Sequence, residues 1–160
     1  MNKTNSKKKR RVTFWGITSM VILAVTYGII MYNMPHRDVQ ATATDQQIDA
    51  QTLVNEYLSN PTKANQKYLD EEGESTIFEV TGKISGISED FDGLPVVLLK
   101  EKKDKAGVSC TFLKEVKPQI KSLKLGQKVT VKGVIRAGAS YDADLEMYEH
   151  VIIEKCNVIK

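Results

Sequence analysis

Residues 77–86 read IFEVTGKISG, and this stretch decides the fold because apolar and polar residues alternate along it. Its apolar side consists of Phe78, Val80, Gly82, Ile84 and Gly86. A period of two residues is typical of a strand with one buried face. Glycines inside such a strand indicate bends, as in a small barrel. The sequence therefore predicts a β-domain that begins at Ile77.

Four more strands and one helix follow this first strand. The strands are predicted at Val96–Leu99, at Val108–Phe112, within LGQKVTVKGVI (residues 125–135) and at Val151–Ile159, and the helix at Lys114–Leu125. A helix between the third and fourth of five strands is the order of an OB-fold, a five-stranded Greek-key barrel. In the last strand, the alternation that turns Cys156 and Val158 inward also turns Glu154 inward, unless a β-bulge intervenes. We therefore predict a mainly β domain with a barrel at about residues 77–159.

A helical segment precedes the barrel in the sequence. Thr44-Asp45-Gln46-Gln47 has the spacing of a capping box. The apolar positions that follow form one stripe of an amphipathic helix, namely Ala50, Leu53, Val54, Tyr57 and Leu58. Asn60-Pro61 ends this helix and can begin a second one, since proline is favoured at the first helical position. The folded domain is thus predicted over residues 45–160, and residues 33–44 are predicted to be a linker.

The N-terminal region contains a long apolar run. Val12–Tyr32 is 21 residues long and holds no charged residue. About 20 helical residues cross roughly 30 Å of hydrocarbon, so the run predicts a single transmembrane helix. Ala41-Thr42-Ala43 fits a signal-peptidase site, but the run is longer than the 7 to 15 residues usual for a signal peptide. We therefore expect an uncleaved signal anchor, and cleavage remains the alternative.

Charge predicts the orientation of this helix. Five basic residues stand directly before the apolar run: Lys7, Lys8, Lys9, Arg10 and Arg11. Basic flanks stay in the cytoplasm, so residues 1–11 are predicted to be a cytoplasmic tail, with the C-terminal domain outside the cytoplasm. The net charge of +3 comes from this tail, because the rest of the chain has 17 basic against 20 acidic residues.

The chain contains two cysteines, Cys110 and Cys156. They fall on the predicted third and fifth strands, which are neighbours in an OB-fold. Outside the cytoplasm disulfides persist, so a bridge between them is one interpretation. Two buried free thiols are the other, since free cysteine is among the most buried residue types. The sequence leaves both open.

Five stretches of the chain resemble a known family, the tRNA-anticodon-binding-like OB-fold group of bacterial envelope proteins. They are LVNEYLSNPTKANQKYLD, FEVTGKISGI, VSCTF, LGQKVTVKGVI and IIEKCNVI, and they span most of residues 53–159. The resemblance implies an OB-fold and an envelope location, so the membrane that we expect α-helical residues 12–32 to cross is the cytoplasmic (inner) membrane of a bacterium. It implies no established activity. The segment Glu71–Ser75, between the helices and the first strand, is longer than the family pattern.

Nothing in the sequence indicates catalysis or a cofactor. His150 near Ser140 has no nucleophile-elbow pattern around it. No phosphate-binding glycine loop or cysteine–histidine zinc spacing is present. Calcium is a weaker alternative, since the carboxylates of two predicted loops could converge, namely Asp90, Asp92, Asp142, Asp144 and Glu146. We therefore expect a non-enzymatic protein that binds neither metal nor cofactor.

The candidate binding residues are acidic and aromatic and lie in two loops. They are Asp90, Phe91, Asp92, Tyr141, Asp144 and Tyr148, which we term the acidic-aromatic rim. Carboxylates accept hydrogen bonds and rings stack, so we expect an adaptor that contacts a protein or saccharide partner. A single-stranded nucleic acid is the alternative that the fold suggests, but acidic loops repel phosphate. A structural spacer or assembly subunit is the other alternative.

Overall fold

The computed structural model describes residues 4–32, 37–70 and 75–159. The chain divides into two compact units, Met1–His36 and Arg37–Lys160. In the first unit, Thr4–Tyr32 forms one helix, α1. Large apolar side chains along its described part are more than half exposed, including those of Trp15, Leu23 and Tyr27.

The predicted transmembrane segment, residues 12–32, lies within α1. Among the residues whose side chains are described, no helix is both long enough and apolar enough to qualify as a membrane span. The side chains of residues 7–14 and 17 lie outside this set, and they include the basic cluster Lys7–Arg11. The transmembrane assignment is therefore not confirmed and stays a prediction.

The second unit consists of eight strands and three helices. In chain order they are β1 (Gln46–Asp49), α2 (Ala50–Ser59), α3 (Pro61–Tyr68), β2 (Ile77–Glu89), β3 (Pro95–Leu99), β4 (Val108–Phe112), a 3-10 turn (Lys114–Val116) with α4 (Lys117–Ile120), β5 (Lys128–Ala137), β6 (Tyr141–Asp142), β7 (Met147–Tyr148) and β8 (Val151–Val158). The helix predicted at Lys114–Leu125 is thus present but ends at Ile120.

The predicted five-stranded barrel is confirmed. The strands are paired in the order β2, β3, β4, β8 and β5, and β5 pairs back with β2 to close the barrel. The long strand β2 makes closure possible, since Ile77–Lys83 pairs with β5 and the stretch from Ile84 to Glu89 pairs with β3. Its predicted inward residues Phe78, Val80 and Ile84 are all buried. This is the strand order of an OB-fold.

The last strand contains a bulge, which settles the inward phase that the sequence left open. Lys155 has φ = 53°, a left-handed conformation rare for a residue with a side chain. The bulge leaves Glu154 and Lys155 partly exposed in succession, and Cys156 is fully buried. The extra residue therefore lets Cys156 face inward while Glu154 faces outward, which simple alternation does not allow.

The capping box predicted at Thr44–Gln47 is wrong. Gln46–Asp49 is a strand instead, β1, which pairs in parallel with the start of β2, and helix α2 begins only at Ala50. Pairing with β2 holds Gln46–Asp49 in an extended conformation, so these residues cannot form the first turn of a helix. The boundary at Asn60-Pro61 is confirmed: the Asn60 side chain accepts a hydrogen bond of 3.0 Å from the Lys63 amide, and Pro61 begins α3.

Residues 37–45, most of which were predicted as linker, form a strap along the outside of the barrel. Val39 is buried in a small cluster with Ile77 and Val134. The side-chain amide of Gln40 donates to the Lys155 carbonyl over 2.6 Å, so the strap supplies a hydrogen-bond partner for the carbonyl at the bulge in β8. The predicted linker is therefore folded onto the barrel from Arg37 onward, and residues 33–36 lie outside the described residues.

Helices α2 and α3 pack against the barrel with their apolar sides. Leu53, Val54 and Tyr57 are almost completely buried. The Ala50 Cβ is 3.0 Å from the position that a Cβ on Gly82 would occupy, and the Tyr57 ring lies directly against Gly138. Tyr68 of α3 meets Phe78 edge-on, with ring centroids 5.0 Å apart. The predicted helical segment thus belongs to the barrel core.

Candidate binding face

The two loops of the acidic-aromatic rim lie at opposite ends of the barrel. One loop follows Glu89 at the end of β2, and the other follows Ala137 at the end of β5. Because β2 and β5 are antiparallel, with Ile77 opposite Val134, their carboxyl ends point in opposite directions. The structure therefore does not bring the six rim residues together, and it separates the two pairs of aspartates on which a calcium site depended.

The first loop, residues 90–94, presents a single exposed aromatic ring. The Asp90 carboxylate accepts hydrogen bonds from the amides of Asp92 and Leu94, over 3.0 and 2.8 Å. It is therefore engaged in shaping the turn. Phe91 is fully exposed at the tip, with an exposed fraction of 111%. Phe91 and Asp92 are the rim residues of this loop that remain available to a partner.

The second loop, residues 138–150, contains a short hairpin that brings two tyrosines together. Tyr141 in β6 is opposite Tyr148 in β7, with ring centroids 4.9 Å apart and planes at 55°. Asp142 shapes the turn, because its carboxylate accepts from the amides of Asp144 and Leu145. The hairpin therefore presents an aromatic pair, with Asp144 exposed beside it.

Sequence reasoning missed the lysines that adjoin this hairpin. The Lys105 ammonium lies 5.4 Å from the centroid of the Tyr148 ring, a cation–π distance, and it comes from the β3–β4 turn. Next to it, His150 Nδ1 accepts from the Gly107 amide over 3.2 Å. Burial and, secondarily, the charge of Lys100 lower the pKa of His150, which favours the neutral ring. The lysine-rich turn is visible in the sequence, but nothing in the sequence indicates that it lies beside the Tyr141–Tyr148 hairpin.

An uncharged sheet surface lies between the two loops. It consists of outward residues from the second half of β2, from β3 and β4, and from the start of β8, which we term the open face: Gly86, Ser88, Val96, Leu98, Ser109, Thr111 and Ile152. Leu98, Ser109 and Ile152 are in register across three strands, and Ile152 is 41% exposed. A surface of this kind suits aliphatic and hydroxyl contacts rather than phosphate.

The residues considered for catalysis are engaged elsewhere. The Ser140 hydroxyl donates to the Glu149 carboxylate, and the described Nδ1 contact of His150 is with the Gly107 backbone. Ser140 and His150, for which the sequence offered no catalytic pattern, are therefore hydrogen-bonded to other partners in the described contacts. Within residues 4–32, 37–70 and 75–159, no three His, Cys, Asp or Glu side chains are grouped so that they could hold a metal ion.

A polar groove of about 730 Å³ lies on the outside of the α2–α3 pair. In it the Glu56 carboxylate accepts from the Tyr68 hydroxyl over 2.6 Å and from the Lys67 ammonium over 3.0 Å. These two hydrogen bonds lower the pKa of Glu56. The charges of Glu56 and Lys67 are thus paired within the chain, and the groove holds none of the predicted rim residues.

The two cysteines face each other inside the barrel. Cys110 and Cys156 are free thiols, and both are completely buried. Burial, and then a hydrogen bond with Cys110, raise the pKa of Cys156 well above its ordinary value. The Cys156 thiol is therefore protonated at neutral pH in this structure.

A protein-family model described as tRNA_anti-like matches residues 6–145 of the chain. A comparison with curated proteins finds no match. Among solved structures, the chain is similar to one described as a "putative nucleic acid-binding lipoprotein" from Klebsiella pneumoniae subsp. pneumoniae MGH 78578. The two are 19% identical with a TM-score of 0.53, and the alignment covers 79% of this chain and all of the other.

Two further structures match with lower TM-scores. The OBody NL8 bound to hen egg-white lysozyme is 14% identical, with a TM-score of 0.37 over 53% of this chain and 96% of the other. RecG bound to a three-way DNA junction is 16% identical, with a TM-score of 0.37 over 74% of this chain and 13% of the other.

Proposed function

Because the chain belongs to the tRNA_anti-like family, we propose that it is a non-enzymatic binding module that holds a protein partner against the outside of its barrel. The observation that carries this proposal is the open face, whose outward residues on β3 and β4 are uncharged and in register with Ile152 of β8. Phe91 and Asp92 at one end, and Tyr141 and Tyr148 at the other, would flank a bound partner. Exposed aromatic side chains are enriched where proteins bind each other.

In-cell photo-crosslinking tests this proposal. A photoreactive residue at Ile152, on the open face, should yield a discrete protein adduct, and one at Gln47, exposed on β1, should not. Adding Leu98→Glu should reduce the Ile152 adduct at least about tenfold, since a charge would be buried without a partner. Phe91→Ala and Tyr148→Ala should weaken it as well.

The control for that loss is Gln47→Glu, which adds the same charge away from the open face and should leave the adduct unchanged. Equal labelling from positions 47 and 152 would contradict a binding face. No adduct from either position would favour the spacer alternative. A nuclease-sensitive adduct would favour a nucleic acid.

Single-stranded nucleic acid is the second candidate, favoured by the lysine-rich turn beside the tyrosine pair. The turn carries Lys100, Lys102, Lys103 and Lys105, and Lys105 already lies over Tyr148. Bases stack on aromatic rings, and phosphates bind positive charge. The tyrosine pair and the adjoining lysine-rich turn supply a ring surface and positive charge side by side. The similar lipoprotein is described as nucleic acid-binding, which adds motive for the test. The candidate requires affinity for labelled single strands that falls steeply with salt and weakens in Lys105→Glu.

We propose further that α1 holds the module at the bacterial cell envelope, as a single-pass anchor with the barrel outside the cytoplasm. The support is the uncharged run of residues 12–32 behind five basic residues. Basic residues at one flank of an apolar helix keep that flank in the cytoplasm.

Protease added to wall-stripped cells should therefore degrade the barrel while the membrane stays intact. Neutralising the basic cluster Lys7–Arg11 should protect a substantial fraction of the molecules, because the orientation signal is removed. A matched control neutralises five barrel lysines, Lys100, Lys102, Lys103, Lys105 and Lys114, and should leave the barrel fully accessible. Complete protection of the unaltered protein would contradict the proposed orientation.

A further inference from the structure

The barrel holds two thiols on neighbouring strands, and both belong to its hydrophobic core. Cys110 lies in β4 and Cys156 in β8, which pair in parallel; Cys156 is opposite Phe112, two residues along from Cys110. Both side chains are on the inner side, fully buried. Each thiol donates to a backbone carbonyl, Cys110 to Val108 over 4.0 Å and Cys156 to Ile153 over 3.5 Å. Burial raises the pKa of Cys156, and Cys110 lies near enough to raise it further.

The backbone is distorted where it turns the second thiol inward. Without the bulge at Lys155, simple alternation from Ile153 would direct residue 155 inward and Cys156 outward. The left-handed conformation of Lys155 is strained for a residue with a side chain, and the Gln40 amide from the strap holds its carbonyl. On the far side, Gly133 leaves room, because a Cβ there would be 2.7 Å from the Cys156 sulfur.

We infer that Cys110 and Cys156 are a cross-linking site and that they form an intramolecular disulfide between β4 and β8 in the mature protein. The inference rests on the proposed location outside the cytoplasm, where disulfides persist. The two thiols lose two protons and two electrons as the S–S bond forms. The disulfide of a thiol–disulfide oxidoreductase accepts them and becomes a dithiol, through a mixed disulfide with one of the cysteines.

Burial determines when this oxidation happens. Thiol–disulfide exchange needs a thiolate that an oxidant can reach. In the closed barrel both sulfurs are fully buried, and Cys156 holds its proton tightly. Oxidation therefore precedes or accompanies barrel closure, and whichever redox state is present at closure is retained. Folded reduced protein should react with a thiol reagent at least about 10³-fold more slowly than unfolded protein, because exposure requires opening of the core.

The test is acid quenching of cells that produce the full chain, then alkylation of the unfolded protein and measurement of its intact mass. With the disulfide present, no alkyl group is added before reduction and two are added after it. Cys110→Ser and Cys156→Ser should each leave one alkylatable thiol without reductant. Two adducts on the unaltered protein without reductant would overturn the inference.

A parallel refolding experiment separates a wrong location from a wrong pairing. Reduced full-length protein is unfolded and refolded in a glutathione redox buffer, and then alkylated in the same way. If the thiols are free in cells but pair in this buffer, the geometry is correct and the proposed location is wrong. If they stay free in both, the pairing itself is wrong, whatever the location.

Discussion

Replacing Gly138 by alanine is expected to lower the free energy of unfolding by about 3 kcal/mol. Gly138 is in the loop after β5, and a Cβ atom there would overlap the ring of Tyr57. Tyr57 is only 1% exposed, so its ring has no free space into which it can rotate. Either the loop or α2 has to move, and both are parts of the core. The change is measured by chemical denaturation of the full chain, monitored by the near-UV circular dichroism of its tyrosines.

Gly86→Ala is the matched control, because it adds the same methyl group where the nearest described atom is 3.7 Å away. It should change stability by less than about 1 kcal/mol. Tyr57→Phe should also be nearly neutral, since the Tyr57 hydroxyl is buried with no hydrogen-bond partner among the described residues. The effect of Gly138→Ala should shrink when Tyr57 is replaced by leucine. A neutral Gly138→Ala would contradict the packing of α2 on this loop.

The barrel was predictable because each of its strands carries a local signal. Alternation along β2, the glycines within it and the position of the helix in the strand order are enough to identify an OB-fold. The phase conflict between Glu154 and Cys156 indicated that alternation fails in the last strand, but it left open the bulge that the structure places at Lys155. Local periodicity carries such information because it records which side of a strand is buried.

What the sequence could not predict depends on contacts between distant segments. The strap uses polar groups, such as Gln40 on the Lys155 carbonyl, and has no apolar period that would distinguish it from a linker. Residues 44–47 satisfy the capping-box pattern, but pairing with β2 decides their conformation. Lys105 meets Tyr148 across more than forty residues of sequence, and no pattern in either segment indicates the other.

The acidic-aromatic rim illustrates the same limit for the candidate site. Its residues were grouped by composition, and five of the six remain available to a partner: Phe91, Asp92, Tyr141, Asp144 and Tyr148. Their placement at opposite ends of the barrel follows from the antiparallel pairing of β2 and β5. Composition therefore identified exposed residues, and topology changed the site from one rim into two ends of an open face.

Gly133→Ala is expected to destabilise the barrel by about 3 kcal/mol or more, since it is a second position where a methyl group has no room. A Cβ there would be 2.5 Å from Cγ2 of Ile153, 2.7 Å from the Cys156 sulfur and 2.9 Å from the Glu154 carbonyl oxygen. The last of these is backbone, so no side-chain rotation relieves it. Closure of the barrel between β5 and β8 should therefore weaken.

A double-variant cycle tests the cause of that loss. Ile153→Ala removes one of the three atoms in conflict. The double variant should therefore lose less unfolding free energy than the sum of the losses of the two single variants, by at least about 1 kcal/mol. Ile135→Ala is the matched control, because Ile135 is equally buried in β5 but is not among the atoms nearest to Gly133. It should combine additively with Gly133→Ala. Additive costs in both pairs would mean that Gly133 does not pack against the bulged part of β8. The argument that Gly133 leaves space for the Cys156 side chain would then fail as well.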